Sequence, residues 1–310
     1  MKAVVYDKKV LVLREVEKPV PKDDEILVKI HSVSVNAADY RSMKMGIIPK
    51  GKIFSADIAG QVEEAGKSTK RFKTGDKVFG DIASCGFGGF AEYVAVPENA
   101  VALIEEGISF EKAASIPMAS LTALQALRNK GNIQPGHKVL IYGAGGGVGT
   151  FAVQLAKYFG AQVTAVCSSN NADKIRNIGA DQVIDYEKDD ITKSSNRYDL
   201  VLAVNGSNPP RIYRNLLNPN GICVMIGGAL PQIIKFMLFK AFLSIGSKKM
   251  CLLTAKANTN DLELIMKLVE AGKVEPIIDR CYPLHETADA VRYLSRGHAR
   301  GKVVIDVVGK

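Results

Sequence analysis

Apolar and polar residues change rhythm along this chain, and the rhythm sets out its elements. Over residues 1–110 the period is two. Ala3–Tyr6 and Val10–Val16 read as a strand pair, broken by Pro19 and Pro21. Glu25–Ser34 puts Ile26, Val28 and Ile30 on one face, and Asp57–Ala65 and Lys77–Asp81 continue the pattern across the turn at Phe72–Asp76. Val94–Val96 follows a glycine-rich stretch that begins at Gly86. Many short strands closed by glycine turns predict a barrel or sandwich-like domain. The rhythm then changes. Val139–Tyr142 is a short apolar run, and Val148, Phe151, Ala152, Leu155, Ala156 and Phe159 follow at helical spacing, with Gly160 as the stop. Gln162–Cys167 reads as the next strand, and Tyr198–Val204 is continuously apolar, as parallel sheets require. Gly221–Ile226 is a further strand. Asp261–Gly272 predicts a helix with Leu262, Ile265, Met266 and Val269 on one face. Pro276–Tyr282 and Gly301–Val307 return to strands that close the first domain.

Between the Val139 strand and its helix lie Gly143, Ala144, Gly145, Gly146, Gly147, Val148 and Gly149. Strand, glycine turn and helix suit a pyrophosphate: its oxygens need backbone N–H donors at close range, and a helix start supplies unpaired donors with a partial positive charge. Gly143, Gly145, Gly146, Gly147 and Val148 are the candidate contacts. The spacing is G-x-x-G-x-x-G, and Ala144 departs from the strict G-x-G-x-x-G. Gly149 costs about 1 kcal/mol against alanine inside a helix, which a close helix–strand crossing explains. The plain alternative is a glycine turn in another α/β unit.

An NAD-selective fold carries an acidic residue at the end of the second strand. Here that end reads Cys167-Ser168-Ser169-Asn170-Asn171, with no carboxylate before Asp173. Ser168, Ser169 and Asn170 can donate to a 2′-phosphate and Lys174 supplies charge, so the expected cofactor is NADPH. The alternative is an ordinary loop in which Asn170 or Asn171 caps a helix. Asn205 and Gly227 follow later strands and are expected beside the cofactor, at the carboxyl ends of the sheet.

Composition narrows the picture little. At 310 residues two domains are expected, and 47% hydrophobic with 24% charged residues is ordinary for a globular protein. The net charge of +9 suits anionic ligands. With no Lys/Arg block, no specific nucleic-acid partner is expected. The five cysteines are scattered without a CxxC pair, which predicts neither a disulfide framework nor a zinc cluster and suits a cytoplasmic location. No signal peptide is expected, because Lys2–Tyr6 already reads as a strand. Leu230–Gly246 is apolar but carries Lys235 and Lys240, too short and charged to be transmembrane. It reads as a pocket lid or dimer contact, with a membrane-surface helix as the other reading.

Ser34-Val35-Asn36-Ala37-Ala38-Asp39-Tyr40-Arg41, then Phe72–Val78, Gly89–Tyr93 and Pro117–Leu127 with Thr122, occur in order ahead of the glycine turn. Together they resemble the medium-chain dehydrogenase/reductase superfamily, in its zinc-free quinone oxidoreductase branch. The resemblance implies an α/β protein: a GroES-like β-barrel catalytic domain (1–118 and 259–310) and an inserted Rossmann domain with a doubly wound parallel sheet (119–258). Zinc-bearing relatives carry a cysteine where this chain has Asn36 and a His-Glu pair where it has Ala56-Asp57, so no metal is expected. By the same resemblance Asn36 and Tyr40 are the catalytic candidates. Asn36 would donate to a substrate carbonyl or the nicotinamide ribose, and Tyr40 would bond the same oxygen or relay a proton. Turn chemistry is the alternative for both, and Asp39 reads as structural. Thr122, Tyr186 and Lys302 match cofactor-side positions, although Lys302 also suits a strand-edge charge.

The implied function is NADPH-dependent, zinc-independent hydride transfer to quinones or α,β-unsaturated carbonyls, by a homodimer, with solvent as the proton source. A non-catalytic, crystallin-like dinucleotide-binding protein and an enoyl-thioester reductase are the alternatives.

Overall fold

In the computed structural model, which describes residues 1–206, 208–228, 233, 234, 236–238, 244 and 246–309, the period-two segments are strands. β1 (Lys2–Asp7) and β2 (Val10–Glu15) pair antiparallel. β3 (Glu25–Val35) buries Ile26, Val28 and Ile30 as its alternation predicts. It pairs with β4 (Asp57–Ala65), which pairs with β5 (Lys77–Asp81). β6 (Tyr93–Pro97) lies on the first half of β3, and β7 (Val101–Leu103) lies on β5. From the far end of the chain, β14 (Ile278–Pro283) and β15 (Lys302–Asp306) extend the same sheet, giving the order β14-β15-β3-β4-β5-β7. Its core gathers Phe54, Ile58, Phe90, Val303 and Ile305, none measurably exposed. Each such side chain contributes about 1.5–3 kcal/mol by leaving water.

The other sheet is all parallel. It comprises β8 (Lys138–Tyr142), β9 (Gln162–Cys167), β10 (Gln182–Asp185), β11 (Tyr198–Val204), β12 (Leu217–Ile226) and β13 (Lys249–Leu253), in the order β10-β9-β8-β11-β12-β13. The winding reverses between β8 and β11, where open α/β sheets part to admit a ligand at their carboxyl ends.

The helices are α1 (Ala37–Met45), α2 (Phe110–Ala114), α3 (Pro117–Gln125), α4 (Gly147–Tyr158), α5 (Ala172–Asn177), α6 (Pro210–Asn215), α7 (Thr259–Glu270) and α8 (Thr287–Ser295). Two compact units result. The first is Met1–Leu121, Ala257–Gly272 and Pro276–Lys310; the second is Thr122–Lys256 with Lys273–Glu275.

The structure departs from the sequence expectation at a few elements. β12 starts at Leu217 rather than Gly221, because Asn218-Pro219-Asn220-Gly221 carries turn residues inside the strand. The lid or dimer-contact segment expected over Leu230–Gly246 falls largely outside the described residues. No described helix is long and apolar enough to cross a membrane.

Candidate functional site

In the second unit, β8 hands over to α4 through Gly143–Gly146, and the glycines there divide into two kinds. Gly143 stands at φ +78, and a Cβ on it would lie 2.3 Å from the Val204 carbonyl oxygen at the end of β11. The N–H groups of Gly143 and Ala144 donate to the Val166 carbonyl of β9 at 3.1 and 3.0 Å. The turn is therefore wedged between the two strands flanking β8. A Cβ on Gly149 would fall 2.3 Å from the Gly143 oxygen, which is the close crossing that its place inside a helix predicts. A Cβ on Gly145 would sit 2.7 Å from Asn171 Nδ2. Gly146 is different: a Cβ there meets nothing nearer than the Gly143 oxygen at 3.9 Å. It is the N-cap of α4 and makes no side-chain cap bond. Packing explains the other three glycines, and open space before a helix start explains Gly146. Gly147 and Val148 open that helix, whose first-turn N–H groups have no intrahelical acceptors. A pyrophosphate fits this cradle.

The neighbouring strand ends lie along the same edge of the sheet. Ser168 follows β9, and its hydroxyl oxygen accepts from Asn171 Nδ2 at 3.0 Å. Asn171 stands at the N-cap of α5 but makes no side-chain cap bond, so helix capping does not explain its side chain. Its Oδ1 is buried without a partner. The Ser169 hydroxyl donates to Asp185, and its N–H donates to Glu187 Oε2 at 3.2 Å. Asp185 ends β10 in register with Cys167, so the sheet brings two carboxylates to a loop that is carboxylate-free along the chain. The Ser169 hydroxyl, the Glu187 N–H and Lys188 hold the Asp185 carboxyl below its ordinary range. Asn170 is exposed, Lys174 is half-buried on α5, and Tyr186 is 49% exposed just past Asp185. Asn205 takes a left-handed φ of +50 after β11, and its N–H donates to the Ile226 carbonyl at 2.8 Å. Gly227, at φ +65, follows β12. Thr122 is buried in α3.

The first unit carries a polar cluster in its sheet. Register places Ser34 of β3 opposite Asp57 of β4, and Asp57 opposite Asp81 of β5. Asp57 is fully buried and saturated. Its Oδ2 accepts from Ser34 Oγ at 2.8 Å, Asn36 Nδ2 at 2.8 Å and Lys302 Nζ at 3.2 Å, and its Oδ1 accepts from the Met118 N–H at 2.9 Å. Lys302 also donates to Asn36 Oδ1 at 2.8 Å. The strand-edge reading of Lys302 is therefore wrong: β15 lies between β14 and β3, and the residue is 3% exposed.

Asn36 is the N-cap of α1, and its backbone N–H donates to Asp39 Oδ2 at 2.7 Å. Asp39 Oδ1 accepts the N–H of Ser55 at 3.0 Å, which holds Ser55 at a left-handed φ of +70. Such a conformation costs about 1–3 kcal/mol in a residue other than glycine. Burial pushes the Asp39 carboxyl up to about 7. Burial, with Asp57 adding its negative charge, pushes Asp81 up to about 6. The Lys302 ammonium opposes both shifts without cancelling them. Tyr40 packs its ring on the core, with Arg41 and Lys44 beside it at 5.8 and 5.6 Å from the ring centre. Its hydroxyl makes no hydrogen bond among the described residues.

Sequence reasoning did not single out Ser34, Asp81, Asp185 or Glu187. Each becomes visible only once its strand is paired with a neighbour. Among the described residues, no group of three or more His, Cys, Asp or Glu is arranged to hold a metal ion.

Comparison with known proteins identifies two families along the chain. Residues 22–106 match the family described as alcohol dehydrogenase GroES-like domain, and residues 178–305 match the family described as zinc-binding dehydrogenase. The chain is 34% identical to a chloroplast envelope quinone oxidoreductase homolog of Arabidopsis thaliana, over 94% of this chain and 92% of that one. It is 32% identical to a 2-methylene-furan-3-one reductase of Solanum lycopersicum, over 92% of this chain and 72% of that one. The solved structure of the quinone oxidoreductase from Coxiella burnetii superposes with a TM-score of 0.90 at 31% identity, covering 99% of both chains.

Proposed function

The chain belongs to the medium-chain dehydrogenase/reductase superfamily, in its quinone oxidoreductase-like branch, and from that premise we propose that it reduces quinones and α,β-unsaturated carbonyls with NADPH and without zinc. It is an oxidoreductase that uses a nicotinamide dinucleotide. The observation that carries the reading is the open space before α4, where a Cβ on Gly146 would meet nothing nearer than the Gly143 oxygen at 3.9 Å. The relatives' names supply the acceptor class: one is a quinone oxidoreductase homolog and another reduces a conjugated ketone. When bound, the dinucleotide supplies a hydride. The protein's own work is to bind it at the glycine turn and to hold the acceptor and stabilise charge on its oxygen.

NADPH is preferred in this proposal because Ser168 and Asn170 lie on the loop after β9, Lys174 lies on α5 just beyond it, and the net charge is +9. Asp185 and Glu187 temper that preference, so we set it at about tenfold, one charge-assisted hydrogen bond in size. Zinc independence is supported by the chemistry of the first unit's cluster. The Asp57 carboxylate is already saturated with donors, and an ammonium rather than a thiolate or imidazole stands beside it. A cytoplasmic homodimer completes the proposal; none of the five cysteines is joined in a disulfide, which suits a reducing compartment.

Oxidation of NADPH and NADH in the presence of a simple quinone and a simple enone, before and after dialysis against a strong chelator, tests the reading. The expected result is reduction of both acceptors, faster with NADPH and unaffected by the chelator. Absence of any acceptor-dependent oxidation overturns the function, and activity lost together with stoichiometric zinc overturns the metal independence. Light scattering on the purified protein checks the dimer.

A further inference from the structure

Three donors sit on the Lys302 ammonium. Two are used, toward Asn36 Oδ1 and Asp57 Oδ2. Among the described residues the third has no acceptor, although the residue is 3% exposed. Leaving a buried donor unmade is costly, and more so when it is charged. Asn36, by contrast, is committed. Its Nδ2 donates to Asp57 at 2.8 Å and to the Ser34 carbonyl at 3.4 Å, and its Oδ1 accepts from the lysine. The amide that the sequence offers as donor to an acceptor carbonyl holds the lysine instead, and the lysine has the spare N–H.

We propose that Lys302 is the catalytic donor to the acceptor's carbonyl oxygen, and that Asp57 and Asn36 are its positioning residues. This rests on the reduction proposed above. Hydride from the reduced dinucleotide forms a C–H bond at the conjugated carbon, the acceptor's π electrons shift, and negative charge gathers on oxygen. The Nζ–H bond of Lys302 breaks toward that oxygen as an O–H bond forms. The neutral amine then takes a proton from water. The acceptor gains two electrons as hydride plus one proton, the dinucleotide is oxidised by two electrons, and solvent supplies the proton consumed. Asp57, fixed by Ser34, Asn36 and the Met118 N–H, keeps the amine in place. A fixed donor in a water-poor site does this work without reorganising as charge develops. Solvent, which the sequence alone suggests as the proton source, then becomes the second donor in the chain.

The test uses the full chain with Lys302→Met, Lys302→Arg and the double variant Lys302→Met/Asp57→Asn, which removes the ammonium and the carboxylate bonded to it together. Turnover of a simple quinone and a simple enone is measured at saturating dinucleotide, with dinucleotide affinity measured separately by fluorescence titration. Lys302→Met and the double variant are expected to lose about 100–1,000-fold in kcat while dinucleotide affinity stays within about threefold. Lys302→Arg, which keeps a cation, is expected to recover part of the loss. A folded double variant with wild-type kcat overturns the proposal. So does intact kcat with weakened dinucleotide binding, which would make Lys302 a cofactor contact only. A wild-type chain that binds dinucleotide yet reduces neither acceptor overturns the functional reading itself, and the Lys302 role with it.

Discussion

Seven consecutive residues, Gly143–Gly149, make the proposed phosphate turn of the second unit, whereas the polar cluster of the first draws on β3, α1, β4, β5 and β15, from Ser34 to Lys302. The turn works through backbone: what matters is where side chains are missing. The cluster works through side chains: what matters is which donor meets which carboxylate. Steric change should therefore damage the turn, and charge change should damage the cluster.

The sharpest test of that contrast is Gly146→Val. The added side chain fills the open position at the N-cap of α4. Loss of two charge-assisted hydrogen bonds at 1.5–3 kcal/mol each predicts about 100–10,000-fold weaker dinucleotide binding. Fluorescence titration reads the affinity, and the melting of the first unit should be unchanged. Wild-type affinity in this variant would mean that the phosphates bind elsewhere.

The converse change is Asp57→Ala. It leaves the Lys302 ammonium buried without its carboxylate, which predicts about 3–5 kcal/mol of lost stability by denaturant unfolding. Asp57→Asn should lose less. If Asp57→Ala unfolds like wild type, the cluster is a bystander and the contrast fails.

A smaller effect belongs to the border between backbone and charge, the loop after β9. Asp185→Asn removes a partly screened carboxylate beside Ser169, and should raise the NADPH-to-NADH ratio of kcat/KM about two- to fivefold. The double change Ser169→Asp with Lys174→Ala should lower it. An unchanged ratio in both would remove this loop from cofactor choice.

A last test is a pH dependence. Burial raises the Asp39 carboxyl from 3.8 to about 7 in the folded chain, so the folded state holds that proton more tightly than the unfolded one. Stability from this group is full below the ordinary aspartate range and is lost as pH rises through about 7. The melting temperature should therefore fall over that interval, and Asp39→Asn, always neutral, should flatten the profile. An identical slope in the variant would assign the pH dependence to Asp81 instead.

The two regions also differ in how far the sequence discloses them. Strand, turn and helix at the phosphate site are neighbours in the chain, so periodicity and glycine spacing suffice, and the close crossing at Gly149 is readable from its helix penalty alone. The strands of the first sheet are equally readable from alternation. Their pairing is not, because register is decided by which faces meet across the sheet. Asn36 and Lys302 can each be picked out by resemblance, but their contact spans 266 positions along the chain. The same limit hides Asp185 and Glu187. Reading forward from Cys167 finds no carboxylate before Asp173, whereas reading sideways to the next strand finds Asp185 at once.

The place of β15 between β14 and β3 has a consequence for the order of events at the ribosome. The second unit is nearly continuous and can condense once β13 has emerged. The first unit cannot: its edge at the end of β3 stays open, and the Asp57 carboxylate lacks its cation, until the segment carrying Lys302 is made. Loop closure over such a span is slow compared with local pairing. The strand edge and the carboxylate are therefore the last to meet their partners. Both are sealed by the same short strand, which makes arrival of Lys302 the closing step in folding as well as the completion of the site.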